Sequence, residues 1–532
     1  MERDLLGLAI KTEFNCWYIP VGHEPNIGIE QLNFKIPADL FVGFEGPIYA
    51  HNMKFDFQVL VKHGIFVPTD NLWCTMMMSV YINENHKPIG HDLDAILNFY
   101  LGQRKKTVEK KALEAFGWMN SPVDLMAIYA EQDVSQLLNL ADVLHPRMEA
   151  DWVNLWENVD RKFMLLLSKM ELRGIPIDYE LCEATEKKLS ARMQEIVLEL
   201  GFDPGKQKKL FLYPKLFDPP PVGLGLSVPS RTPKTNEPQV TAEWLETIGH
   251  PMTALLYEYS KLQKQNSSYY SAYRRLTTRA YPRLHPSFKQ HGAETGRLSC
   301  ANPNLQQIPR DEYKDAYVKK LFVPDIGYQL WEIDYRTIEY RLAAVYAQDV
   351  KLLELFENEG DFHQLVADDV SAQVGFPVSR QQAKTINYLM GYGGGVEVLK
   401  TKLRVDHKQA KKIHQGYKAA YWKIFERASE ATEYAEQNME IQTWSGRTRH
   451  FRFQSEAHKA FNACMQGGAF EIVKTSMLKL DDAGFDICNQ VHDSVWIQVK
   501  DESEVIEAEK IMSEWTTERF GLTFRTDRKR LN

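Results

Sequence analysis

Six cysteines (Cys16, Cys74, Cys182, Cys300, Cys464 and Cys488) are scattered over 532 residues, with no Cys-x-x-Cys pair. That spacing excludes a zinc ribbon and a disulfide scaffold and suits a reducing compartment. No run reaches the ~18 consecutive apolar residues that a membrane span requires, so no membrane partner is expected. The first residues have neither the charged-then-apolar pattern of a signal peptide nor that of a transit peptide. A basic excess is missing too. Lys and Arg number 64 against 71 Asp and Glu, a formal charge of −7. Composition therefore does not advertise nucleic-acid binding, although a basic cleft can sit on an acidic exterior. Internal repeats and low-complexity segments are absent. These absences point to a soluble, cytoplasmic protein.

What is present is ordinary globular composition, 44% hydrophobic and 25% charged. The length is too great for a single core, and two to four domains are expected. Residues 1–150 mix strands ("LLGLAI", "NCWYIPVG") with a helix ("FDFQVLVKHG") that ends at Gly64. From about 152 to 200 the apolar spacing is helical. Residues 203–238 are rich in Pro and Gly, as in a loop or mobile tip, and helical spacing returns at "HPMTALLYEYSKLQKQ". Strands reappear after 281, interrupted by a helical block from about 339 to 439.

Three stretches carry chemistry. In "NQVHDSVWIQV" the apolar residues alternate on either side of His-Asp-Ser, which predicts a hairpin with Asp493 at its tip. In "YQLWEIDYRTIEYRLAA" a strand runs into a helix with Asp334 at the junction. Taken singly, each is an ordinary turn or capping aspartate. Brought together on neighbouring strands, two carboxylates suit two hard divalent cations, which would activate a 3′-hydroxyl and screen a departing pyrophosphate. In "SRQQAKTINYLMGYGGG", Arg380, Lys384 and Tyr388 recur every four residues and so share one helical stripe. Two cations followed by an aromatic ring make a triphosphate clamp with a stacking platform.

In this order and spacing the blocks "ETGRLSCANPNLQQIPR" (294–310), "DYRTIEYR" (334–341), "RQQAKTINYLMGYG" (380–393) and "VHDS" (491–494) resemble those of the family A DNA polymerases, the group of bacterial DNA polymerase I and many phage replicases. The resemblance implies an α+β multidomain fold: a right hand of palm, fingers and thumb, preceded by an RNase H-like α/β exonuclease-type domain. It implies a partial exonuclease-like domain over 1–150, a thumb over 151–280, palm over 281–344 and 426–532, and fingers over 345–425. The implied activity is DNA-templated extension of a primer with dNTPs, with two Mg²⁺ ions as cofactors and Mn²⁺ tolerated. The chain is expected to be monomeric, with primer-template DNA and dNTPs as partners. A processivity factor, a helicase or a missing exonuclease segment are further possible partners.

Carried over residue by residue, the resemblance makes Asp334 and Asp493 metal ligands, with the Tyr335 carbonyl. Arg380, Lys384 and His363 would contact the triphosphate, with Lys384 protonating pyrophosphate. Tyr388 would stack on the nucleotide, Tyr392 would lie near the templating base, and Glu339, close to Thr337 in the nucleotide site, would exclude a ribose hydroxyl. Asn462, Gln466 and His458 form a stripe that can reach minor-groove acceptors common to all base pairs. Arg297 would do so from the other side, and His492 would contact the primer terminus. Lys206, Lys208, Lys209 and Lys264 are candidate phosphate contacts.

The pattern also departs from the family. Ser494 replaces a usual Glu, which leaves two aspartates for the chemistry. Arg336 and Thr337 stand where a small residue and Gln are common, Leu389 where Gly is, and His458 where Arg is. In the first 150 residues "AHNMKFDFQVL" and "YAEQDVSQLLNL" resemble two of the three motifs of a DEDD-type 3′–5′ exonuclease, with Asp56 and Asp133 as ligands and Tyr129 orienting water. The strand bearing Asp-x-Glu is missing from the sequence. Little or no proofreading is therefore expected of the chain as supplied: either it is shortened, or that strand comes from elsewhere. The absence of a preceding 5′-nuclease module is more phage-like than bacterial. A single-subunit RNA polymerase and a non-catalytic DNA-binding scaffold are the alternatives; Glu339 disfavours the first, and the Asp334/Asp493 and Arg380/Lys384 pairs disfavour the second.

Overall fold

The structure, a computed structural model, describes residues 5–23, 35–85, 90–103, 107–309, 316–391 and 393–532. The chain divides into two compact units. One comprises Met1–Arg173, Ser287–Ala301 and Trp331–Lys529, the other Gly174–Pro286, Asn302–Leu330 and Arg530–Asn532.

The first unit opens with a small mixed α/β region. Gly7–Lys11 pairs antiparallel with Cys16–Pro20, and Ile48–Ala50 pairs parallel with Leu72–Cys74. Parallel strands need a crossover, and the helix Met53–Lys62 provides it. Leu72, Ile96, Leu140 and Leu144 form the core here, continuous with Trp152, Trp156 and Met164 from the segment that follows. The Trp156 indole donates to the Leu72 carbonyl at 2.9 Å.

The rest of the unit is built on a four-stranded sheet, ordered Asp486–Val491, Ser494–Val499, Gln329–Tyr335, Thr526–Arg530. Val495, Ile497 and Val499 are buried, as their alternation predicts. The long helix Ala460–Asp482 approaches its neighbours closely at two glycines. A Cβ on Gly467 would lie 2.9 Å from the Thr295 carbonyl, and one on Gly468 2.8 Å from Leu342. Among the described residues, six helices from Val350 to Asn438 make the helical block. Asp349, Asp361 and Asp406 each cap the N-terminus of one of them by accepting backbone N–H groups, as short acceptors do.

Fully buried charges hold this unit together. Lys474 lies 2.6 Å from Asp160 and 2.8 Å from Glu471, and Tyr81 donates to Asp160. Burial alone would raise the Asp160 carboxyl, but Lys474 and Arg447 hold it below its ordinary value. A second knot joins Glu84 to Arg449 and His450, with Arg449 also 2.8 Å from Glu294.

The second unit is mainly helical. Tyr179–Leu200 is capped by Asp178 and meets Pro251–Gln265 through Arg192, which pairs with Glu258 at 2.8 Å. A small core of Phe202, Leu212, Leu216, Leu245 and Leu256 lies beneath the Pro/Gly-rich segment.

Candidate functional site

The hairpin expected around Asp493 is present. Asp486–Val491 and Ser494–Val499 pair antiparallel with Val491 opposite Ser494, so His492 and Asp493 form a two-residue turn. Such a turn demands positive φ, and His492 has φ 54°. The Gln490 side chain donates to the His492 carbonyl and fixes the tip from inside.

Asp334 is the penultimate residue of Gln329–Tyr335. The next backbone N–H, that of Tyr335, donates to the Asp493 carbonyl at 3.2 Å, and that of Arg336 donates to Arg525 at 2.9 Å. The strand end is thus held on both flanks, and Asp334 and Asp493 are carried by adjacent strand ends. Both are partly exposed. The Tyr335 ring points the other way, buried, its hydroxyl donating to the Met512 carbonyl at 2.6 Å.

Thr337, with φ 49°, turns the chain into the helix Ile338–Ala347. Arg341 holds that turn from behind. Its guanidinium donates to the carbonyls of Arg336 at 3.0 Å, Thr523 at 3.0 Å and Phe356 at 3.3 Å. Burial, aided by Arg525 and Arg336, lowers its pKa to about 10, so it remains charged at neutral pH. Sequence reasoning assigned it no role, because two of its three carbonyl partners, those of Phe356 and Thr523, lie outside the motif that contains it. Arg336 pairs with Asp527 at 2.6 Å and faces Glu359 at 3.8 Å.

Arg297 approaches from a different segment. It pairs with Glu339 and stands 3.7 Å from Asp493. Gly296 before it has φ +82°, and a Cβ there would collide with the Arg447 guanidinium.

Arg380, Lys384 and Tyr388 are exposed along the helix Arg380–Gly391, while Ala383, Ile386, Asn387, Leu389 and Met390 face inward. The stripe expected from the four-residue spacing is therefore present. Arg380 lies 2.6 Å from Asp361. The Asn387 amide is 2.8 Å from His363 Nδ1, and burial, with Arg380 and Lys384 nearby, lowers the His363 pKa. At the C-terminal end of this helix a Cβ on Gly391 would lie 2.8 Å from the Tyr340 hydroxyl. The stripe's helix is therefore seated against the helix that bears Glu339. Tyr392 lies outside the described residues.

Asn462 and Gln466 are partly exposed on Ala460–Asp482, and exposed His458, in the turn just before, donates to the Ser455 carbonyl at 2.7 Å. In the second unit Lys209 pairs with Glu237 at 2.6 Å.

Glu332 was not singled out from the sequence. Its Oε1 is 3.2 Å from the Ser494 hydroxyl and 3.2 Å from the Trp496 indole nitrogen. No sequence signal marks it, since its partners come from a strand far along the chain. No three His, Cys, Asp or Glu side chains among the described residues converge as a metal cage. The carboxylates of Asp334 and Asp493 with the Tyr335 carbonyl are nevertheless the hard oxygen donors that Mg²⁺ takes, usually with substrate phosphates and water completing the shell.

Near the N-terminus Asp56, Asp133 and Tyr129 are also brought together. Burial pushes the Asp56 carboxyl up to about 7, with Asp133 adding to it. Burial likewise raises Tyr129 to about 12, with contributions from Asp133 and Asp94. Asp56 and Asp133 line a cavity of about 930 Å³ that is bordered by residues of both small sheets. The first strand among the described residues, Gly7–Lys11, carries no acidic side chain.

Residues 182–525 match the model of DNA polymerase family A, and residues 43–149 match that of a 3′–5′ exonuclease. The chain belongs to DNA polymerase family A. This family A chain is 28% identical to DNA polymerase I of Chloroflexus aurantiacus over 96% of its own length and 57% of that protein. It is 30% identical to the thermostable DNA polymerase I of Thermus filiformis over 70% of its own length and 47% of that protein. It therefore spans about half the length of the curated relatives it matches. Its fold is that of the POL domain of Pol1 from M. smegmatis, solved in complex with DNA primer-template and dNTP. The TM-score is 0.80 at 22% identity, covering 99% of this chain and 92% of the other. Members of the family use divalent metal ions, generally Mg²⁺.

Proposed function

We propose that this chain is a DNA-templated DNA polymerase that extends a primer 3′-hydroxyl with dNTPs and releases pyrophosphate. The observation that carries the reading is the hydrogen bond from Tyr335 N–H to the Asp493 carbonyl. It holds Asp334 and Asp493 on adjacent strand ends, in a unit that also displays Arg380, Lys384 and Tyr388 on one exposed helical stripe.

In this reading Asp334, Asp493 and the Tyr335 carbonyl hold two Mg²⁺ ions, which Mn²⁺ can replace. When bound, such ions supply charge stabilisation to the attacking oxygen and the departing phosphates. The residues do the rest. Arg380 and Lys384 grip the triphosphate, and His363, close to both, adds a hydrogen bond. The primer 3′-hydroxyl loses its proton to solvent as its oxygen bonds to the α-phosphorus, the bond to pyrophosphate breaks, and Lys384 gives the leaving group a proton. Tyr388 stacks on the base. Glu339, held by Arg297, fills the space where a 2′-hydroxyl would sit. Asn462, Gln466 and His458 follow the minor groove, and His492 meets the primer end.

Residues 151–280 would serve as thumb, 345–425 as fingers, and 281–344 with 426–532 as palm. Closure of the fingers would bring the Arg380–Gly391 helix onto the nucleotide. The N-terminal region would have little or no nuclease activity by itself. Asp56 and Asp133 form half a ligand set there, with Tyr129 beside them. We place the protein in the cytoplasm, acting as a monomer. A primer-extension gel with Mg²⁺, each nucleotide type and a mismatched primer tests synthesis, sugar choice and proofreading together. Extension with dNTPs but not NTPs, without excision of the mismatch, is the expected result. Absence of extension with dNTPs contradicts the reading.

A further inference from the structure

A cationic face follows the helix that carries Arg380, Lys384 and Tyr388. Between 396 and 418 the chain has seven Lys or Arg residues and two acidic ones, although its formal charge overall is −7. The segment folds as two helices, Val396–Leu403 and His407–Ala420. The Gly393 and Gly394 N–H groups donate to the Met390 and Leu389 carbonyls at 3.2 and 2.7 Å, so the chain turns tightly out of Arg380–Gly391 into the first of them. In the second, Ala410, Ile413, Gly416 and Tyr417 are buried. A Cβ on Gly416 would lie 3.0 Å from Val374, which seats this helix on Phe362–Val374, the helix that bears His363. Its opposite face carries Lys408, Lys411, Lys412 and Lys418, all exposed, at spacings that share one side of a helix. At ~1.5 Å per residue this stripe runs about 15 Å. Lys400, Lys402 and Arg404 are exposed as well.

Both acids of the segment are engaged locally. Glu397 pairs with Lys400 at 3.2 Å and His407 at 2.7 Å, and Asp406 caps its helix by accepting the Gln409 N–H at 2.7 Å. Among the described residues, Lys402, Arg404, Lys408, Lys411 and Lys412 stand in no ion pair. One exposed lysine is an ordinary solvated charge. Like charges gathered within a Debye length of ~10 Å repel one another, and a polyanion relieves that cost. Exposed Trp422 opens the next helix, just beyond the end of the stripe. An aromatic ring beside a row of cations suits unpaired bases, which stack on it. An acidic protein segment would also meet the charge, but the place favours nucleic acid. Templated synthesis leaves an unpaired strand ahead of the incoming nucleotide, and this face adjoins the helix proposed to hold that nucleotide.

We propose that this face binds the phosphates of the unpaired template strand ahead of the primer terminus, through Lys408, Lys411 and Lys412, with Trp422 stacking on a base. The inference rests on the polymerase reading, and the test separates the two. The full chain is titrated, over a range of salt concentrations, with three primer-templates. One has a long unpaired template overhang, one a single-nucleotide overhang, and one a long overhang made double-stranded by a downstream strand. Extension of each by the wild type is followed in parallel. On the long unpaired overhang, Lys408→Gln/Lys411→Gln/Lys412→Gln is expected to flatten the slope of log affinity against log salt by about 2, three contacts at ~0.7 each. On the single-nucleotide overhang, too short to reach this face, the two proteins should bind alike. Trp422→Ala should weaken binding of the long unpaired overhang by roughly 10-fold and leave its salt slope unchanged, as loss of a stacked base does. All four side chains are exposed, so melting temperatures should stay at the wild-type value. Equal slopes for wild type and triple variant on the long unpaired overhang overturn the inference, leave the polymerase reading intact and turn the face over to an acidic protein segment. A slope difference confined to the double-stranded overhang overturns the assignment to the unpaired strand. A wild-type chain that neither binds nor extends any of the three overturns both readings.

Discussion

The backbone N–H of Tyr335 donates to the carbonyl of Asp493 at 3.2 Å, so two acidic residues remote in sequence are held on neighbouring strand ends by main chain alone. Neither side chain is needed for that bond. A substitution at Asp493 can therefore remove its charge without dissolving the arrangement.

Asp493→Asn is accordingly expected to fold as the wild type does and to bind primer-template with similar affinity. Its single-turnover extension rate should fall by about 10³-fold, the cost of several kcal/mol of lost charge stabilisation. Rapid-quench extension beside a DNA-binding titration checks this, and equal extension by both proteins would reject the assignment.

The ion pair between Arg380 and Asp361 at 2.6 Å holds a proposed phosphate-binding cation in the absence of nucleotide. Asn caps helices about as well as Asp, so Asp361→Asn preserves the start of Phe362–Val374 while releasing the guanidinium. An exposed pair is worth about 0.2–1 kcal/mol. The dNTP KM should thus drop by up to about 5-fold with kcat little changed. A raised KM would show that the pair orients Arg380 for its task.

Glu339, paired with Arg297, is the proposed barrier to a ribose hydroxyl. Glu339→Ala should raise the efficiency of NTP incorporation relative to dNTP by roughly 10–200-fold, the range that a change in pocket shape supplies. Competitive extension at matched template positions measures it. An unchanged ratio would move sugar selection elsewhere.

Tyr388 is exposed at the end of its stripe, where its hydroxyl can stand in for a missing sugar 3′-hydroxyl. The wild type is expected to accept dideoxynucleotides readily. Tyr388→Phe should discriminate against them more strongly by roughly 10-fold, about one hydrogen bond. Similar incorporation by the two proteins would refute this role.

Stability should depend on acid through the buried knot of Lys474, Asp160 and Glu471. The Asp160 carboxyl is held below its ordinary value in the folded chain. Unfolding therefore takes up a proton as the pH falls. The stability it contributes is present above the unfolded value near 3.9 and is lost as the pH drops through the folded one. Glu84, lowered by His450 and Arg449 against the effect of burial, has the same sign. Denaturation as a function of pH should show a steep loss below about pH 4. Lys474→Met, which strands two buried carboxylates, should cost about 3–5 kcal/mol.

Much of this site was legible before any coordinates, for identifiable reasons. Alternation marked the strands that flank Asp493, and a four-residue repeat marked the Arg380, Lys384 and Tyr388 stripe, because both signals are local. The juxtaposition of Asp334 with Asp493 was legible only as a chemical expectation, since strand order is not local. The roles of Arg341 and Glu332 escaped notice because most of their partners lie elsewhere in the chain: the Phe356 and Thr523 carbonyls for the first, and the Ser494 and Trp496 side chains for the second. Arg297 and Glu339 were each singled out, but their pairing was not, since it joins two segments that sequence reasoning treated separately.

The central claim is that Asp334 and Asp493 share divalent ions. Anomalous scattering from a Mn²⁺-soaked crystal of the full chain, with a dideoxy-terminated primer-template and the next dNTP, tests it directly. The account predicts manganese peaks coordinated by both side chains and by the nucleotide phosphates. Ordered nucleotide with manganese bound by neither aspartate, or by only one of them, would contradict it.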